Sequence, residues 1–380
     1  MRVALVVAGG VDESARERVT PALLWLVERL ARRHDVIVYV LRYHDRPRSY
    51  PLLGAAVHDL GSPQGIWRQY RALVSAMRRD GPFDVVHGYQ ALPSGLAAAV
   101  AGWRLSLPSV VTFDSGEFVA FADVGAGYGL QLRARQRFAV SAAARLATVV
   151  TVCSQYQRRL GEMLGITSEL IPIGVDRTAF LPAERSDGPP WRLLHVASLN
   201  PVKDQTTLAR AVAQLVSRSI DVRLDIVGED TMGGAIQDLV RQLGLESRVS
   251  FHGFQPTSAL SSFYQRAHLF VLSSRHEAAN VAVLEAAASG VPITGTAVGH
   301  LADWAMSNEP PKALTVAPGD PSSLANGIER ALADPAARRR MAEAARAWSL
   351  AHDADWTARQ FDELYQRLAN GKKPTTEDTE

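Results

Sequence analysis

The amino-acid sequence predicts an α/β protein with two doubly wound domains, each built on a parallel sheet. Its 380 residues are 47% hydrophobic and 21% charged, which is an ordinary globular composition, and the length is typical of two domains. Short apolar runs alternate with segments of helical period throughout. Residues 269–299 are an example, because a strand, a loop, a helix and a second strand there form one βαβ unit.

An N-terminal domain is predicted at residues 1–180, followed by a linker at 181–190 that is rich in Pro. Apolar runs predict its strands and helical periodicity predicts its helices. The strands are predicted at 3–8, 36–41, 83–88, 109–113 and 148–152, and the helices at 23–31, 67–77, 94–101 and 132–146. Ser154 is predicted to cap one further helix.

A C-terminal domain is predicted at residues 191–350. Asn280 and Asp334 precede helical segments as N-caps, and Gly290 with Pro292 ends the first of these helices. The strands are predicted at 191–197, 222–228, 249–253, 269–272 and 291–294, and the helices at 235–243, 260–267, 281–288, 324–333 and 335–350. A segment at 351–369 contains a last helix, 355–368, and the polar residues 370–380 are predicted to be disordered.

Composition restricts the class of protein. A single cysteine, Cys153, excludes an internal disulfide and indicates a reducing cytoplasm; its place at a strand end predicts a small buried residue rather than a reactive one. No apolar run approaches the ~20 residues that span a bilayer, and residues 1–10 form a strand pattern rather than a signal peptide. Residues 1–180 hold 21 Arg, no Lys and 15 acidic residues, a net charge of +6. Without a nucleic-acid recognition motif, this charge is compatible with an acidic acceptor or an anionic membrane surface. The basic helix at 132–146 suits an anionic membrane surface, and the alternative is a solvated helix face.

Two carboxylates stand in the central βαβ unit, Glu277 in the loop and Glu285 on the helix. Ligands of open α/β sheets bind beyond the carboxyl ends of the strands, and a helix N-terminus there favours a phosphate. The carboxylates would accept hydrogen bonds from the hydroxyls of a sugar and a ribose. The segment therefore indicates a site for a sugar nucleotide. The alternative is that Glu277 is a solvated loop residue and Glu285 is a surface residue of the helix.

This segment resembles the pattern of retaining glycosyltransferases of family 4, which have the GT-B fold of two Rossmann-like domains facing a cleft. The matching residues are Ser274, Glu277, Glu285, Ala286, Gly290 and Pro292, with Pro172, Gly174, Val175, Asp176 and Phe180 in an interdomain segment. The resemblance implies that Glu277 approaches the donor sugar and that Glu285 binds the ribose. It also implies that Ser274, Arg275, Asn280 and Val281 line the donor site. In such a fold the helix at 355–368 crosses back to the first domain.

The chain departs from the family pattern at two places around the expected diphosphate. Lys203 stands at the family's Lys, which would stabilise the leaving diphosphate, but Ser198 replaces an Arg and Asp204 replaces a Gly. Arg275 is the candidate that would supply the second cation. The glycines that usually follow the first Glu are replaced by Ala278, Ala279 and Asn280, which lack the backbone freedom of Gly.

In the N-terminal domain, Gly9 and Gly10 follow the first strand. They lack the G-x-G-x-x-G spacing of an NAD site. The resemblance places them near the donor phosphates, and the alternative is a tight turn between the strand and the helix. Asp114 stands where the family has a His beside the donor sugar, with Glu117 as the reserve candidate. His87 is either an acceptor-side residue or a structural one.

The implied reaction is transfer of a sugar from a nucleotide diphosphate to an acceptor hydroxyl with retention, without a cofactor or a metal. The acceptor is expected to be lipid-linked or a polysaccharide, and the location cytoplasmic, with the inner membrane face as an alternative. Two other functions stay open: a sugar-nucleotide epimerase or hydrolase on the same fold, and a non-catalytic protein that binds nucleotide sugar.

Overall fold

A computed structural model describes residues 1–62, 65–186, 188–307 and 310–371. The chain forms two compact units. The first consists of Met1–Phe121, Gly127–Ile173 and the C-terminal segment from Ala354, and the second of Ala122–Ala126 and Gly174–Asp353. The predicted disordered tail from residue 372 onward, and residue 187 of the predicted linker, lie outside the described residues.

The first unit is built on an eight-stranded sheet. Its strands are β1 Arg2–Val7, β2 Asp35–Val40, β3 Arg48–Leu52, β4 Ala55–Asp59, β5 Val85–Tyr89, β6 Ser109–Phe113, β7 Val149–Val152 and β8 Glu169–Leu170. The helices are α1 Pro21–Ala31, α2 Ile66–Asp80, α3 Leu96–Leu105, α4 Ala134–Leu146 and α5 Gln155–Met163. The strand order is β3-β4-β2-β1-β5-β6-β7-β8, and the strands pair in parallel except for β3 with β4. The carboxyl ends of β1, β5 and β6 therefore lie side by side.

The second unit is built on a six-stranded parallel sheet of order β11-β10-β9-β12-β13-β14. Its strands are β9 Trp191–Val196, β10 Val222–Val227, β11 Val249–Phe251, β12 Leu269–Leu272, β13 Ile293–Thr296 and β14 Leu314–Val316. The helices are α6 Gln205–Ser217, α7 Ala235–Gln242, α8 Thr257–Arg266, α9 Val281–Ala288, α10 His300–Met306, α11 Pro321–Ala333 and α12 Pro335–Ala351, with a 3₁₀ turn at Pro201–Lys203. Because β9 and β12 are neighbours, the loops that follow them meet at one edge.

The last helix, α13 Ala354–Ala369, packs within the first unit. Arg29 of α1 donates to Asp355 at 3.0 Å, and Arg33 donates to Asp362 at 2.8 Å. The phenol of Tyr365 lies 2.6 Å from the ring of His87 on β5. Polar contacts therefore fix this helix to elements from the start of the chain.

Most predicted elements are present, but the hairpin of β3 and β4 was missed. Pro51 lies inside β3, and Pro within a run argues against a strand. The hairpin turn also places Leu53 at φ 50°, a conformation that sequence patterns assign to Gly or Asn. The antiparallel pairing with β4 overrides both local preferences.

The strand predicted at 291–294 begins later, at Ile293. The N–H of Val291 still donates to the carbonyl of Ala286, at 2.9 Å, and so belongs to the end of α9. Pro292 has no N–H for the sheet, so pairing starts at the next residue.

Candidate functional site

Two loops of the second unit are joined at the carboxyl ends of β9 and β12. Ser273 donates from its hydroxyl to the carbonyl of Lys203 at 2.8 Å. The N–H of Arg275 donates to the carbonyl of Val202 at 2.7 Å. These bonds hold the loop after β12 against the 3₁₀ turn after β9, so the side chains of both loops converge.

Lys203 and Glu277 form the centre of this convergence. The Nζ of Lys203 lies 2.7 Å and 2.9 Å from the two carboxylate oxygens of Glu277. Ser274 donates from its hydroxyl to Glu277 Oε1 at 2.6 Å. The exposed fraction is 24% for the side chain of Lys203 and 9% for that of Glu277. The alternative of a solvated loop carboxylate is therefore wrong for Glu277, and the pair places a cation and an acceptor at one point.

Helix α9 begins beside this pair, as predicted, with Asn280 as its N-cap. The side chain of Asn280 accepts from the N–H of Val283 at 3.0 Å. Its φ is +80°, a conformation that Asn tolerates better than most residues. Asn280 thus combines the cap with a positive φ, which Gly adopts most readily. Val281 is the first residue of the helix, where N–H groups have no partner in the helix itself.

This double role gives a stability prediction. Asn280→Ala loses the cap and strains the backbone, so we expect the free energy of unfolding to fall by ~2 kcal/mol. Asn280→Gly loses the cap but accepts the positive φ, so a change of a few tenths of a kcal/mol is expected. Urea unfolding measures both, with Asp334→Ala as a control that removes an N-cap at φ −118°. Equal losses in the two Asn280 variants would show that the backbone conformation contributes nothing.

Gly299 closes the loop from the other side. Its φ is +55°, and a Cβ placed there would lie 2.8 Å from the carbonyl oxygen of Ala279 and 3.2 Å from the Cβ of Glu277. A larger residue would therefore displace the loop that carries Glu277.

Glu285 lies on the buried face of α9 and is only 3% exposed. It is therefore not a surface residue. Tyr264 of α8 donates from its phenol to Glu285 Oε2 at 2.7 Å. Burial raises the pKa of Glu285 to about 7, while the bond from Tyr264 acts in the opposite direction. Sequence reasoning missed Tyr264, because nothing in the local pattern connects residues 21 positions apart.

The positions that depart from the family around Lys203 have distinct structures. Asp204 adopts φ 49° and ψ 49°, the left-handed region that Gly adopts most readily, and caps α6 by accepting from the N–H of Thr207 at 3.1 Å. Ser198 is exposed. Arg275 donates to Asp123 at 2.7 Å, in an ion pair at the surface. Within the part of the chain that is described, Arg275 thus pairs with Asp123 rather than with the carboxylate of Glu277.

Candidate residues of the first unit gather after β6. Glu117 is 1% exposed and accepts from the N–H of Ser115 at 2.7 Å and from that of Ala91 at 3.2 Å. The Oδ1 of Asp114 is buried without a hydrogen-bond partner in the described chain. Burial, and then the neighbouring Glu117, raise the pKa of Asp114 well above its usual range. Two carboxyl groups therefore share this strand end. Tyr89 forms a hydrogen bond with Asp114, while Glu117 accepts from two backbone N–H groups.

His87 is fully buried on β5. One ring nitrogen lies 2.6 Å from the phenol of Tyr365 and the other 2.7 Å from the hydroxyl of Thr112. Burial lowers the pKa of His87 to about 3, so the ring is neutral. These contacts favour the structural alternative for His87.

Gly9 and Gly10 lie in the loop between β1 and α1. Gly10 has φ +81°, and a Cβ there would lie 2.5 Å from the hydroxyl of Thr20 at the start of α1. The N–H of Thr20 donates to the carbonyl of Gly10 at 3.0 Å. A residue with a side chain would separate the loop from α1.

Two α/β units, each built on a largely parallel sheet, are typical of the GT-B class of fold. Solved structures of similar fold support this class. Sucrose-phosphate synthase from Thermosynechococcus elongatus superimposes with a TM-score of 0.80 at 23% identity, over 98% of this chain and 100% of that one. Anabaena HepE in complex with UDP-glucose gives 0.73 at 18% identity, over 97% and 100%.

Family models identify both halves of the chain. One described as glycosyl transferases group 1 matches residues 176–348, and one described as glycosyl transferase 4-like domain matches residues 19–174. The two models together cover most of the chain, which therefore belongs to the glycosyltransferases that these models describe. A D-inositol 3-phosphate glycosyltransferase of Corynebacterium urealyticum is 31% identical over 46% of this chain, which spans 42% of that enzyme's length.

Two features are absent from the described residues. No helix there is both long and apolar enough to cross a membrane. No group of three or more His, Cys, Asp or Glu side chains there is placed to hold a metal ion.

Proposed function

We propose that the protein transfers a sugar from a nucleotide diphosphate to an acceptor hydroxyl, with retention at the anomeric carbon. The observation that carries this proposal is the contact between Lys203 and Glu277 beside the N-terminus of α9. A cation, an acceptor-only carboxylate and the N-terminus of a helix together suit a ligand that carries both phosphates and hydroxyls. The family to which the chain belongs supports the same reaction class.

In the proposed reaction the bond between the anomeric carbon and the phosphate oxygen breaks, and a bond from the acceptor oxygen to that carbon forms. The acceptor proton passes to the departing phosphate oxygen, which leaves a nucleotide diphosphate. Lys203 would stabilise the charge that develops on the leaving group, as a point charge close to the reacting atoms. Its ammonium has three N–H donors, and contact with the diphosphate would compete with Glu277 for them.

Glu277 would hold the sugar by accepting from its hydroxyls, a positioning role. Glu285 has one oxygen occupied by Tyr264 and would accept from ribose hydroxyls with the other. In the first unit, Asp114 would accept from or donate to a hydroxyl of donor or acceptor, since its Oδ1 has no partner in the described structure. Arg275 would have to leave Asp123 to supply a second cation.

We also propose that the reaction needs no metal, since Lys203 provides the cation at the diphosphate, and that the acceptor is lipid-linked or a polysaccharide. A cytoplasmic location is supported by the cysteine content, because a sequence with a single cysteine, Cys153, forms no internal disulfide. An epimerase or hydrolase on this fold would act on donor without acceptor.

Thermal unfolding with UDP, GDP, ADP and dTDP sugars, in the presence of EDTA, tests the donor site. We expect one nucleotide family to raise the melting temperature, because a ligand at a hundred times its Kd adds ~2.7 kcal/mol of stability. The shift should be lost in Glu285→Ala and kept in Glu246→Ala, which removes an exposed carboxylate of the same unit. No shift with any nucleotide, or equal shifts in both variants, would contradict the donor site. Product analysis with the identified donor, with and without acceptors, then separates transfer from hydrolysis and epimerisation.

A further inference from the structure

An apolar groove with a volume of about 310 Å³ lies between helices α2, α3 and α4 of the first unit. Its walls include Tyr70 from α2, Leu96 and Val100 from α3, and Ala142 from α4. These are aliphatic and aromatic side chains from three neighbouring helices. The groove belongs to none of the residue groups to which we assign a role in sugar transfer.

Large aromatic side chains at this groove remain in water. Trp67 and Phe138 line it and are 76% and 75% exposed. Trp103 is 68% exposed and follows Leu96 by seven residues and Val100 by three, which places it on the same face of α3. Single exposed apolar residues are common, but three large rings at one face mark an interaction surface.

Arginines flank these rings. On α4, Arg135, Phe138, Ala142 and Arg145 recur at helical spacing, so the face that lines the groove is bordered by a cation at each end. Arg71 follows Trp67 by four residues on α2. All three arginines are exposed, and none is in an ion pair among the described residues. Helices α3 and α4 contain no acidic residue, so the charge of this face is positive.

We propose that this face binds the surface of an anionic lipid bilayer, with Trp67 and Phe138 inserted at the interface and the groove receiving acyl chain. Aromatic rings flanked by basic residues are the combination that peripheral proteins use at anionic lipid. An acidic protein would pair with the arginines but would leave the apolar walls in water. Single-stranded nucleic acid stacks on flat rings, whereas Leu96, Val100 and Ala142 offer a concave aliphatic wall. This inference does not depend on the transferase proposal.

Sedimentation of the full chain with lipid vesicles tests the proposal, without nucleotide or acceptor. One set of vesicles is phosphatidylcholine and the other contains phosphatidylglycerol as well. We expect binding to the anionic vesicles, reduced by salt. The double variant Arg135→Gln/Arg145→Gln should weaken this binding about thirtyfold, since each arginine at an anionic surface contributes about a fivefold factor. Trp67→Ala/Phe138→Ala should weaken binding to a similar or greater extent.

Matched controls lie in the second unit. Arg339→Gln/Arg340→Gln removes two exposed arginines of α12, and Phe254→Ala/Met306→Ala removes two exposed apolar side chains. Neither should change vesicle binding. The proposal is overturned if the protein does not bind anionic vesicles, or if Arg135→Gln/Arg145→Gln and Trp67→Ala/Phe138→Ala bind them as the wild type does. It is also overturned if the protein binds single-stranded RNA or polyglutamate through these arginines but does not bind vesicles. Because nucleotide binding is measured separately, failure here leaves the transferase proposal untouched.

Discussion

Lys203→Met is expected to lower kcat for sugar transfer about 10²–10³-fold, the effect of losing one preorganised group that stabilises developing charge. The variant also leaves Glu277, whose side chain is 9% exposed, without the cation that lies 2.7 Å away. A carboxylate that loses its partner in such a place costs free energy, so the protein should also be less stable. Steady-state kinetics and urea unfolding measure the two effects independently.

The double variant Lys203→Met/Glu277→Gln separates catalysis from stability. Neutralising Glu277 removes the unpaired charge, so the free energy of unfolding should recover by ~1–3 kcal/mol relative to Lys203→Met. The rate should stay low, because no cation faces the diphosphate. A double variant that regains kcat would mean that Lys203 acts only by neutralising Glu277. Arg210→Met, which removes an exposed cation from α6, is the control and should leave both quantities unchanged.

The second large effect concerns Glu285 and its dependence on pH. With a pKa of about 7, the buried carboxyl is ionised only above that pH, and the ionised form is the better acceptor for ribose hydroxyls. We therefore expect nucleotide to bind more tightly as pH rises through 7. Glu285→Gln should weaken binding about 10–100-fold above this pH and should abolish the dependence. Calorimetric titration with the nucleotide, below and above the pKa, measures both.

The stability of the nucleotide-free protein should change in the opposite direction. Because the pKa of Glu285 is raised from its ordinary value of 4.5 to about 7, the folded state holds this proton more tightly than the unfolded state. Its contribution is present in full below pH 4.5 and is lost as pH rises towards 7. Glu285→Gln should flatten that part of the stability profile.

Tyr264→Phe provides a second check on this carboxyl. It removes the donor that favours the ionised form, so the midpoint of both transitions should move to higher pH. If the wild type and Glu285→Gln have the same profile across this range, the ionisation lies elsewhere.

Local chemistry explains which parts of this site were predictable. Asn280 caps α9 and Asp334 caps α12 through side-chain bonds to N–H groups three residues further on, and such bonds are visible in a short window of sequence. The strand Leu269–Leu272 and the helix Val281–Ala288 were predicted with the bounds they have, since their apolar patterns are unbroken. Glu277 and Glu285 were singled out by their places in the loop and on the helix of this βαβ unit, and by the resemblance of the segment to the family pattern.

Other features depended on residues distant in the chain. The hairpin of β3 and β4 was missed because Pro51 and Leu53 contradict it locally, and pairing with β4 decides in its favour. Asn280 and Asp204 both adopt positive φ in place of glycine, which composition alone does not reveal. The phenol that shares a hydrogen bond with Glu285 comes from another helix.

The sequence by itself therefore determined the fold class, because capping and periodicity act within about twenty residues. The resemblance of its motifs to a known family indicated that family and made Glu277, Glu285 and Lys203 the candidate site residues. The tertiary structure alone decided that Lys203 contacts Glu277, 74 positions later. That contact exists because β9 and β12 are neighbours in the sheet, so that the loops after them meet at one edge. Strand order is set by packing of the whole unit, and the burial that raises the pKa of Glu285 has the same origin.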